Sequence, residues 1–158
     1  MIRFTEGNIF DANHQIIVNP INCIGVMGKG LALEFKKRYP DNFAAYKEVC
    51  KENKLNAGDI LPFILQDGRI IINFATKFHY AHNSKILFIN RGLQQMTSYI
   101  INNIESNKLI IRGSIGIPAL GCGLGGLNWE LVRKSMVTYL SYLPDYIDIF
   151  IYNPKEKC

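Results

Sequence analysis

Short apolar runs recur along the chain and predict a sheet. Six stretches rich in Ile, Val and Phe are typical of strands: residues 2–5, 16–19, 60–65, 70–74, 114–118 and 147–152. The run 70–73 is almost entirely apolar, which is typical of a strand covered on both faces. The pattern therefore indicates a sheet that lies inside the molecule.

Between these strands, apolar residues recur at helical spacing. Three stripes stand out: Leu31, Phe35 and Tyr39; Met96, Ile100 and Ile104; and Val132, Met136, Tyr139 and Leu143. Such stripes usually form the buried face of a helix. The alternation of strands and helices predicts an α/β fold in which helices cover both faces of the sheet and ligands bind beyond the carboxyl ends of the strands.

Length and composition predict a single domain over residues 1–158, because 48% of the 158 residues are hydrophobic and no linker-like segment interrupts them. The net charge of +5 favours an anionic partner such as a nucleotide, a nucleic acid or an acidic protein. The cysteines, Cys23, Cys50, Cys122 and Cys158, lack the spacing of a zinc site, and no apolar run approaches the roughly 20 residues that span a bilayer. We therefore expect a cytoplasmic monomer with reduced thiols, no metal and no membrane contact.

Two glycine-rich turns each follow a predicted strand. They contain Gly121, Gly123, Gly125 and Gly126 after strand 114–118, and Gly25, Gly28 and Gly30 after strand 16–19. Glycine lets main-chain N–H groups approach a ligand closely, and an anion binds well to such groups at the start of a helix. Two such turns at one sheet edge could hold the two halves of a diphosphate; the alternative is that both are simply tight turns.

Two known phosphate-binding motifs fit these turns poorly. Gly121, Gly123 and Gly126 have the spacing G-x-G-x-x-G, but they lack the downstream strand ending in an acidic residue that a dinucleotide fold requires. The turn Gly28-Lys29-Gly30 lacks the Ser or Thr and the earlier glycine of a Walker loop. The sequence therefore predicts neither a dinucleotide-binding fold nor a Walker-type phosphate-binding loop.

Lys77 is the most suggestive side chain, because the preceding apolar strand carries it to the edge of the sheet. Burial in a low-dielectric pocket lowers the pKa of a lysine and makes it a nucleophile toward a sugar carbon or a carbonyl. The alternative is a solvated surface lysine. His79 is either a proton carrier or a surface histidine, and Asn19 and Asn22 bond either to turn backbone or to ribose hydroxyls.

Three separated blocks carry a more specific pattern: VNPINCIGVMGKGLALEFKKRYP (residues 18–40), NFATKFHY (residues 73–80) and IPALGCGLGGLNW (residues 117–129). Together they resemble the macrodomain family, in particular its DarG-type ADP-ribosyl glycohydrolase branch, which is related to the vertebrate terminal ADP-ribose glycohydrolase. The resemblance implies a three-layer α/β/α domain with a central mixed sheet. It also implies that the domain binds ADP-ribose at the strand ends and removes it from a modified macromolecule, without a cofactor.

The resemblance assigns roles to individual residues. Residues 121–126 match the family's diphosphate loop, residues 27–30 match the opposing loop near the phosphates and the distal ribose, and Asn22 falls beside that ribose. Thr76 and Lys77 match the pair that supplies the catalytic lysine, and either His79 or a water is expected to carry the proton. The expected catalytic residues are thus Lys77 and His79, and the expected ADP-ribose ligands are Asn8, Ile9, Asn22, Met27, Gly28, Gly30, Leu31, Thr76, Leu120, Gly121, Cys122, Gly123, Leu124, Gly125 and Gly126.

The sequence departs from the family's pattern at two site positions. Many macrodomains read the adenine amino group with an Asp after a glycine near the N-terminus, whereas this chain has Gly7-Asn8, whose amide oxygen still accepts a hydrogen bond. The vertebrate glycohydrolase has an aspartate that cooperates with lysine where this chain has Gly125. DarG antitoxins also usually continue into a second domain, whereas this sequence stops at Cys158, so toxin neutralisation through such a domain is not predicted.

A nucleobase in single-stranded DNA is the preferred acceptor. Basic residues lie near both loops, and aromatic residues that could stack on a base follow Lys77; the set is Lys29, Lys36, Lys37, Arg38, Lys85, Phe78, His79 and Tyr80. The basic residues of the helix could equally form only a solvated face. Two other functions stay open, hydrolysis of ADP-ribosyl esters on protein glutamate and binding of ADP-ribose without cleavage, and a cognate ADP-ribosyltransferase is an expected partner.

Overall fold

The computed structural model describes residues 1–155, and within them it contains six strands and four helices. In chain order these are β1 (Ile2–Thr5), β2 (Ile16–Ile21), α1 (Gly30–Arg38), α2 (Pro40–Lys51), β3 (Ile60–Ile64), β4 (Ile70–Ala75), α3 (Ile86–Glu105), β5 (Ile115–Ile117), α4 (Trp129–Leu140) and β6 (Ile149–Tyr152). The six predicted strands are all present, with bounds that differ by at most two residues.

The strands form one mixed sheet in the order β1-β6-β5-β2-β4-β3. Each neighbouring pair is parallel except β3 and β4, which run antiparallel as a hairpin. Because β2, β4, β5 and β6 share one direction, the loops that follow them emerge at the same edge of the sheet. The expected mixed sheet is confirmed.

Helices cover both faces of the sheet, as alternation of side chains along the strands requires. On β4, Ile72 and Phe74 pack in the cluster that contains Leu93 and Met96 of α3. The odd-numbered residues of β4 face the other side of the sheet, where Ala75 packs in a cluster with Tyr46 and Cys50 of α2. The predicted three layers are therefore confirmed, with α1 and α2 on one face and α3 and α4 on the other.

The second predicted strand continues as β2 through Pro20, although proline is rare inside a sheet. On the β4 side, the Ile21 oxygen accepts from the Thr76 N–H (3.0 Å), whereas on the β5 side the Ile16 N–H donates to the Ser114 oxygen (3.2 Å). Alternation along the strand turns the nitrogen of Pro20 towards β5, which pairs with only the first two residues of β2. The missing N–H therefore interrupts no ladder bond.

Helix α2 was not predicted, and the helical stripes end differently from expectation. Tyr39 lies between α1 and α2, because the following Pro40 disfavours a helical conformation at the residue before it. Helix α4 ends at Leu140, and Leu143 reaches the core from the turn beyond the helix. Both stripe residues pack against apolar neighbours, although both lie outside the helices that the structure shows.

Cys23 and Cys50 carry free thiols, and the Cys122 thiol donates to the Leu120 oxygen (3.7 Å); Cys158 lies outside the described residues. In residues 1–155, no helix combines the length and the apolarity needed to cross a bilayer.

Candidate active site

Three loops meet at the carboxyl edge of the sheet. They are the Asn22 loop (residues 22–29, after β2), the lysine loop (residues 76–85, after β4) and the glycine loop (residues 121–126, after β5). The Cys23 N–H donates to the Phe78 oxygen (2.8 Å), which joins the first two. The Ser84 N–H donates to the Gly125 oxygen (2.8 Å), which joins the second to the third.

Lys77 lies at the centre of this arrangement. The Thr76 N–H and hydroxyl both approach the Ile21 oxygen (3.0 and 3.4 Å), so the end of β4 is fixed to the end of β2. The Lys77 Nζ then donates to the main-chain oxygens of Tyr80 (3.1 Å) and Leu124 (3.4 Å). The residue is only 8% exposed, and burial lowers the pKa of its amine. The structure thus brings Lys77 to the glycine loop; its catalytic role stays a prediction.

The glycine loop is shaped by residues that lack a side chain. Gly121 and Gly126 have φ values of +73° and +75°, in the left-handed region that favours glycine. A Cβ at Gly125 would lie 2.5 Å from the Gly121 oxygen and 2.5 Å from the Ser84 Oγ. The loop therefore cannot accept an aspartate at this position without moving, which gives a physical reason for the departure from the vertebrate enzyme.

The predicted ligands of the glycine loop divide into two groups. Leu120 and Cys122 are buried in the cluster beneath the loop, so their side chains serve as anchors. Gly123 and Leu124 are exposed. Contact with a ligand from the buried pair would therefore come from the main chain.

The Asn22 loop leads into an uncapped helix. Gly30 has a φ of +57° and opens α1, and among the described residues no side chain caps this helix or places an acid in its first turn. The N–H groups of the first turn of α1 and its dipole favour an anion here. Gly28 is exposed beside them, while the Met27 side chain is buried, and Leu31 is half-buried.

The Asn22 side chain makes contacts within its own loop that the sequence did not reveal. Its Oδ1 accepts from the N–H groups of Ile24 (3.1 Å) and Val26 (3.4 Å) and from the Tyr46 hydroxyl (2.6 Å), and its Nδ2 donates to the Val26 oxygen (2.7 Å). Asn22 therefore shapes the loop, and contact with a ribose stays a prediction.

Asn8 and Ile9 follow β1 at the same edge of the sheet. The Asn8 Oδ1 accepts from the Phe10 N–H (2.9 Å), and Ile9 is buried in the cluster that contains Phe35 and Tyr152. A carboxamide oxygen has a second lone pair, so Asn8 retains an acceptor for an adenine amino group. That contact stays a prediction.

His79 lies in the lysine loop, where its ring packs against other rings. Its Nδ1 accepts from the Ala81 N–H (3.0 Å), and its ring centroid is 4.3 Å from that of Tyr80 and 5.2 Å from that of His82. The contact with Ala81 leaves Nε2 as the atom for a proton transfer, which stays a prediction. Asn19 is different: it is fully buried and donates to the Asn73 Oδ1 (3.0 Å), so it belongs to the core.

Sequence reasoning missed Tyr46 and Ser84, which hold the Asn22 loop and the glycine loop from below. Tyr46 belongs to the unpredicted helix α2, and Ser84 precedes α3 by two residues. A buried tyrosine has no local signature, so only its contacts reveal it. Across residues 1–155, no group of three or more His, Cys, Asp or Glu side chains is placed to hold a metal ion.

Residues 18–136 match the family model described as Macro domain. The chain belongs to the macro domain family. A curated relative from Mycobacterium tuberculosis, named DNA ADP-ribosyl glycohydrolase, is 39% identical over 159 residues, which cover 98% of this macro domain and 42% of the relative. The solved macrodomain of Mycobacterium tuberculosis DarG matches with a TM-score of 0.85 and 39% identity, over 98% of this chain and 99% of that chain.

A second relative combines two named activities. It is the DNA ADP-ribosyl transferase-DNA ADP-ribosyl glycohydrolase fusion protein of Thermosipho africanus, 33% identical over 99% of this chain and 42% of the relative. The solved structure of Thermosipho africanus DarTG in complex with ADP-ribose matches this macro domain with a TM-score of 0.83 at 33% identity, over 99% of this chain and 42% of that chain. The chain thus spans about 42% of the length of these curated relatives. The resemblance to the DarG-type branch is confirmed.

Proposed function

We propose that this macro domain binds ADP-ribose between its glycine loop and its Asn22 loop and hydrolyses the bond between C1″ of the terminal ribose and an acceptor. The observation that carries the proposal is the buried amine of Lys77, 3.4 Å from the Leu124 oxygen of the glycine loop. The names of the relatives, which include DNA ADP-ribosyl glycohydrolase, support it.

The diphosphate would lie between the glycine loop and the first turn of α1. Main-chain N–H groups are suited to phosphate oxygens, and a helix N-terminus stabilises a nearby anion by about 0.3–1 kcal/mol at an exposed site. The absence of an acid in the first turn of α1 supports this placement, since a carboxylate there would repel the ligand. Adenine would then extend towards Asn8 and Ile9, and the terminal ribose towards Asn22 and Lys77.

Lys77 would act as the nucleophile in its neutral form. In one route, its lone pair forms an N–C1″ bond while the C1″–acceptor bond breaks, and the acceptor leaves with the bonding electrons and takes up a proton. In the other, the C1″–O4″ bond breaks, O4″ takes up a proton and an iminium forms between C1″ and the acceptor nitrogen; the amine then adds to C1″, and the acceptor departs with a proton and leaves a Schiff base between Lys77 and C1″. In both routes water then adds to C1″, the N–C1″ bond breaks, and ADP-ribose and the free amine result. His79 Nε2 or a water would carry the proton.

A nucleobase of single-stranded DNA is the acceptor that the surface around Lys77 fits best. Phe78, Tyr80 and Leu124 are exposed there and offer apolar and aromatic surface for a base. Lys29 and Lys85 are exposed on the flanking loops and would attract phosphates. A glutamate ester would make less contact with this apolar surface, so glutamate is the second candidate for the acceptor.

The proposal extends to the domain organisation, oligomeric state, location and partner enzyme of the chain. Residues 1–158 would act as one domain, as a monomer, in the cytoplasm. The fusion of glycohydrolase and transferase in the Thermosipho africanus relative supports an ADP-ribosyltransferase as the enzyme whose product this chain consumes.

The deciding experiment measures both binding and cleavage. Lys77→Ala should abolish release of ADP-ribose from modified single-stranded DNA, while calorimetry shows nearly unchanged affinity for free ADP-ribose. Unchanged turnover would remove Lys77 from the mechanism. Wild-type activity confined to a modified glutamate peptide would replace the DNA acceptor, and binding without release from either substrate would make the chain a reader of ADP-ribose.

A further inference from the structure

The hydroxyl of Tyr46, on α2, lies directly beneath the Asn22 loop. Its oxygen is 2.6 Å from the Asn22 Oδ1 and 3.0 Å from the Asn22 main-chain oxygen. Tyr46 is fully buried, at 0% exposure. Burial, and then the neighbouring Cys50, raise the pKa of the hydroxyl. The group therefore stays protonated and available as a donor to Asn22.

The Asn22 carboxamide is held in one orientation. Its oxygen faces three donors, the Tyr46 hydroxyl and the N–H groups of Ile24 and Val26, and its Nδ2 faces the Val26 oxygen. Turning the amide over would place an NH₂ group against two main-chain N–H donors. Nδ2 carries two hydrogens, and the bond to Val26 uses one of them. The second can serve a ligand in the cleft.

We propose that Tyr46 is a positioning residue for the terminal ribose of ADP-ribose, which it never touches. Its hydroxyl fixes the orientation of the Asn22 carboxamide, which aims the second Nδ2 hydrogen at a ribose hydroxyl. The inference rests on the proposed function, because it requires ADP-ribose in the cleft with its terminal ribose beside this loop.

A comparison of two ligands isolates this role. ADP shares adenine, the first ribose and the diphosphate with ADP-ribose but lacks the terminal ribose. Tyr46→Phe removes one buried hydrogen bond and should lower the affinity for ADP-ribose by about 3- to 10-fold, while the affinity for ADP changes by less than about 2-fold. A general loss of fold stability would weaken both ligands alike, so the ratio of the two affinities is the informative quantity.

The experiment is calorimetry of both ligands on the wild type, Tyr46→Phe, Asn22→Ala and the double variant. Because Tyr46 acts through Asn22, the double variant should bind ADP-ribose no more weakly than Asn22→Ala alone. Tyr152→Phe is the matched control, since Tyr152 is also buried (8% exposed) and its hydroxyl lies 2.7 Å from the His14 Nε2. Any effect of that control should be equal for the two ligands.

The outcomes separate the two proposals. Equal loss for ADP and ADP-ribose in Tyr46→Phe, or additive losses in the double variant, overturns the role of Tyr46 and leaves the proposed function in place. A wild type that binds neither ligand overturns both. If Tyr46→Phe does not fold, NMR of the wild type decides: the Tyr46 hydroxyl and Asn22 amide protons should shift with ADP-ribose and not with ADP, and equal shifts overturn the inference.

Discussion

The Nζ of Lys77 lies 3.4 Å from the main-chain oxygen of Leu124, so the end of β4 is tied to the loop that follows β5. Its other acceptor, the Tyr80 oxygen at 3.1 Å, is also a neutral carbonyl. Neutral dipoles compensate a buried ammonium less than a carboxylate does, and burial lowers the pKa of Lys77. In the proposed mechanism, the amine of Lys77 would therefore act without an acidic neighbour in the glycine loop.

The pH profile should report this lowered pKa. We expect kcat/KM for release of ADP-ribose to rise with pH along a limb centred below the usual lysine value of about 10.4, because only the neutral amine of Lys77 is nucleophilic. Lys77→Arg, whose guanidinium stays protonated, should be inactive at every pH. A limb centred at or above the usual value would contradict the expectation.

Gly125→Ala should weaken ADP-ribose binding. The new Cβ would meet the Gly121 oxygen and the Ser84 Oγ at 2.5 Å, which forces the loop to move. Overpacking of this kind costs about 1–3 kcal/mol of stability, so binding that has to restore the native loop would show a Kd raised by up to about 5- to 150-fold. Calorimetry checks the affinity and a thermal melt checks the fold. Gly123→Ala is the control variant, because nothing lies within 4 Å of its new Cβ. It should lose much less affinity for ADP-ribose than Gly125→Ala.

Phe78→Ala should separate DNA binding from ADP-ribose binding. The ring is 52% exposed beside Lys77, and stacking on a base contributes about 1–3 kcal/mol. We expect kcat/KM on modified single-stranded DNA to fall about 5- to 150-fold, with little change in the Kd of free ADP-ribose. Tyr142, 72% exposed beyond the far end of α4, provides a control ring. Equal effects of Phe78→Ala and Tyr142→Ala would argue against a stacking role.

His14 should make the fold less stable in mild acid. It is 2% exposed, its Nδ1 lies 2.7 Å from the Ser114 Oγ and its Nε2 lies 2.7 Å from the Tyr152 hydroxyl, and burial lowers its pKa. The folded state therefore favours the neutral ring. That stabilisation is complete above the unfolded pKa of about 6.5 and is lost as the pH falls from there through the folded pKa.

The measurement is the free energy of unfolding as a function of pH. Between neutral pH and mild acid, the wild type should lose stability more steeply than His14→Gln, whatever the difference between the two proteins at neutral pH. Parallel curves would show that the titration of His14 does not contribute.

The sequence predicted the sheet and the edge at which the two glycine clusters lie because those features rest on local patterns. Aliphatic runs mark strands such as β4, and glycine clusters mark the loops that follow β2 and β5. Helix α2 was not predicted, because its buried positions are Asn42, Tyr46 and Cys50, which form no aliphatic stripe. Propensity and periodicity carry little information where the core uses polar and aromatic side chains.

The contacts within the site depend on residues far apart in the chain, so they could not be derived from spacing. Asn22 meets Tyr46 across 24 positions, and Lys77 meets Leu124 across 47. The resemblance named Asn22 and Lys77 but not the side chain that holds Asn22 in place. Long-range packing decides whether a polar residue faces a ligand or its own loop.

The brevity of β5 has a geometric consequence for the whole molecule. β2 pairs with β5 over two residues and with β4 over six, so the last four residues of β2 extend past the hydrogen-bonded end of their neighbour. At roughly 3.3 Å per residue, about 13 Å of β2 has no ladder partner on the β5 side. The chain after Ile117 is thus free to leave the sheet and form the glycine loop, which a longer β5 would prevent.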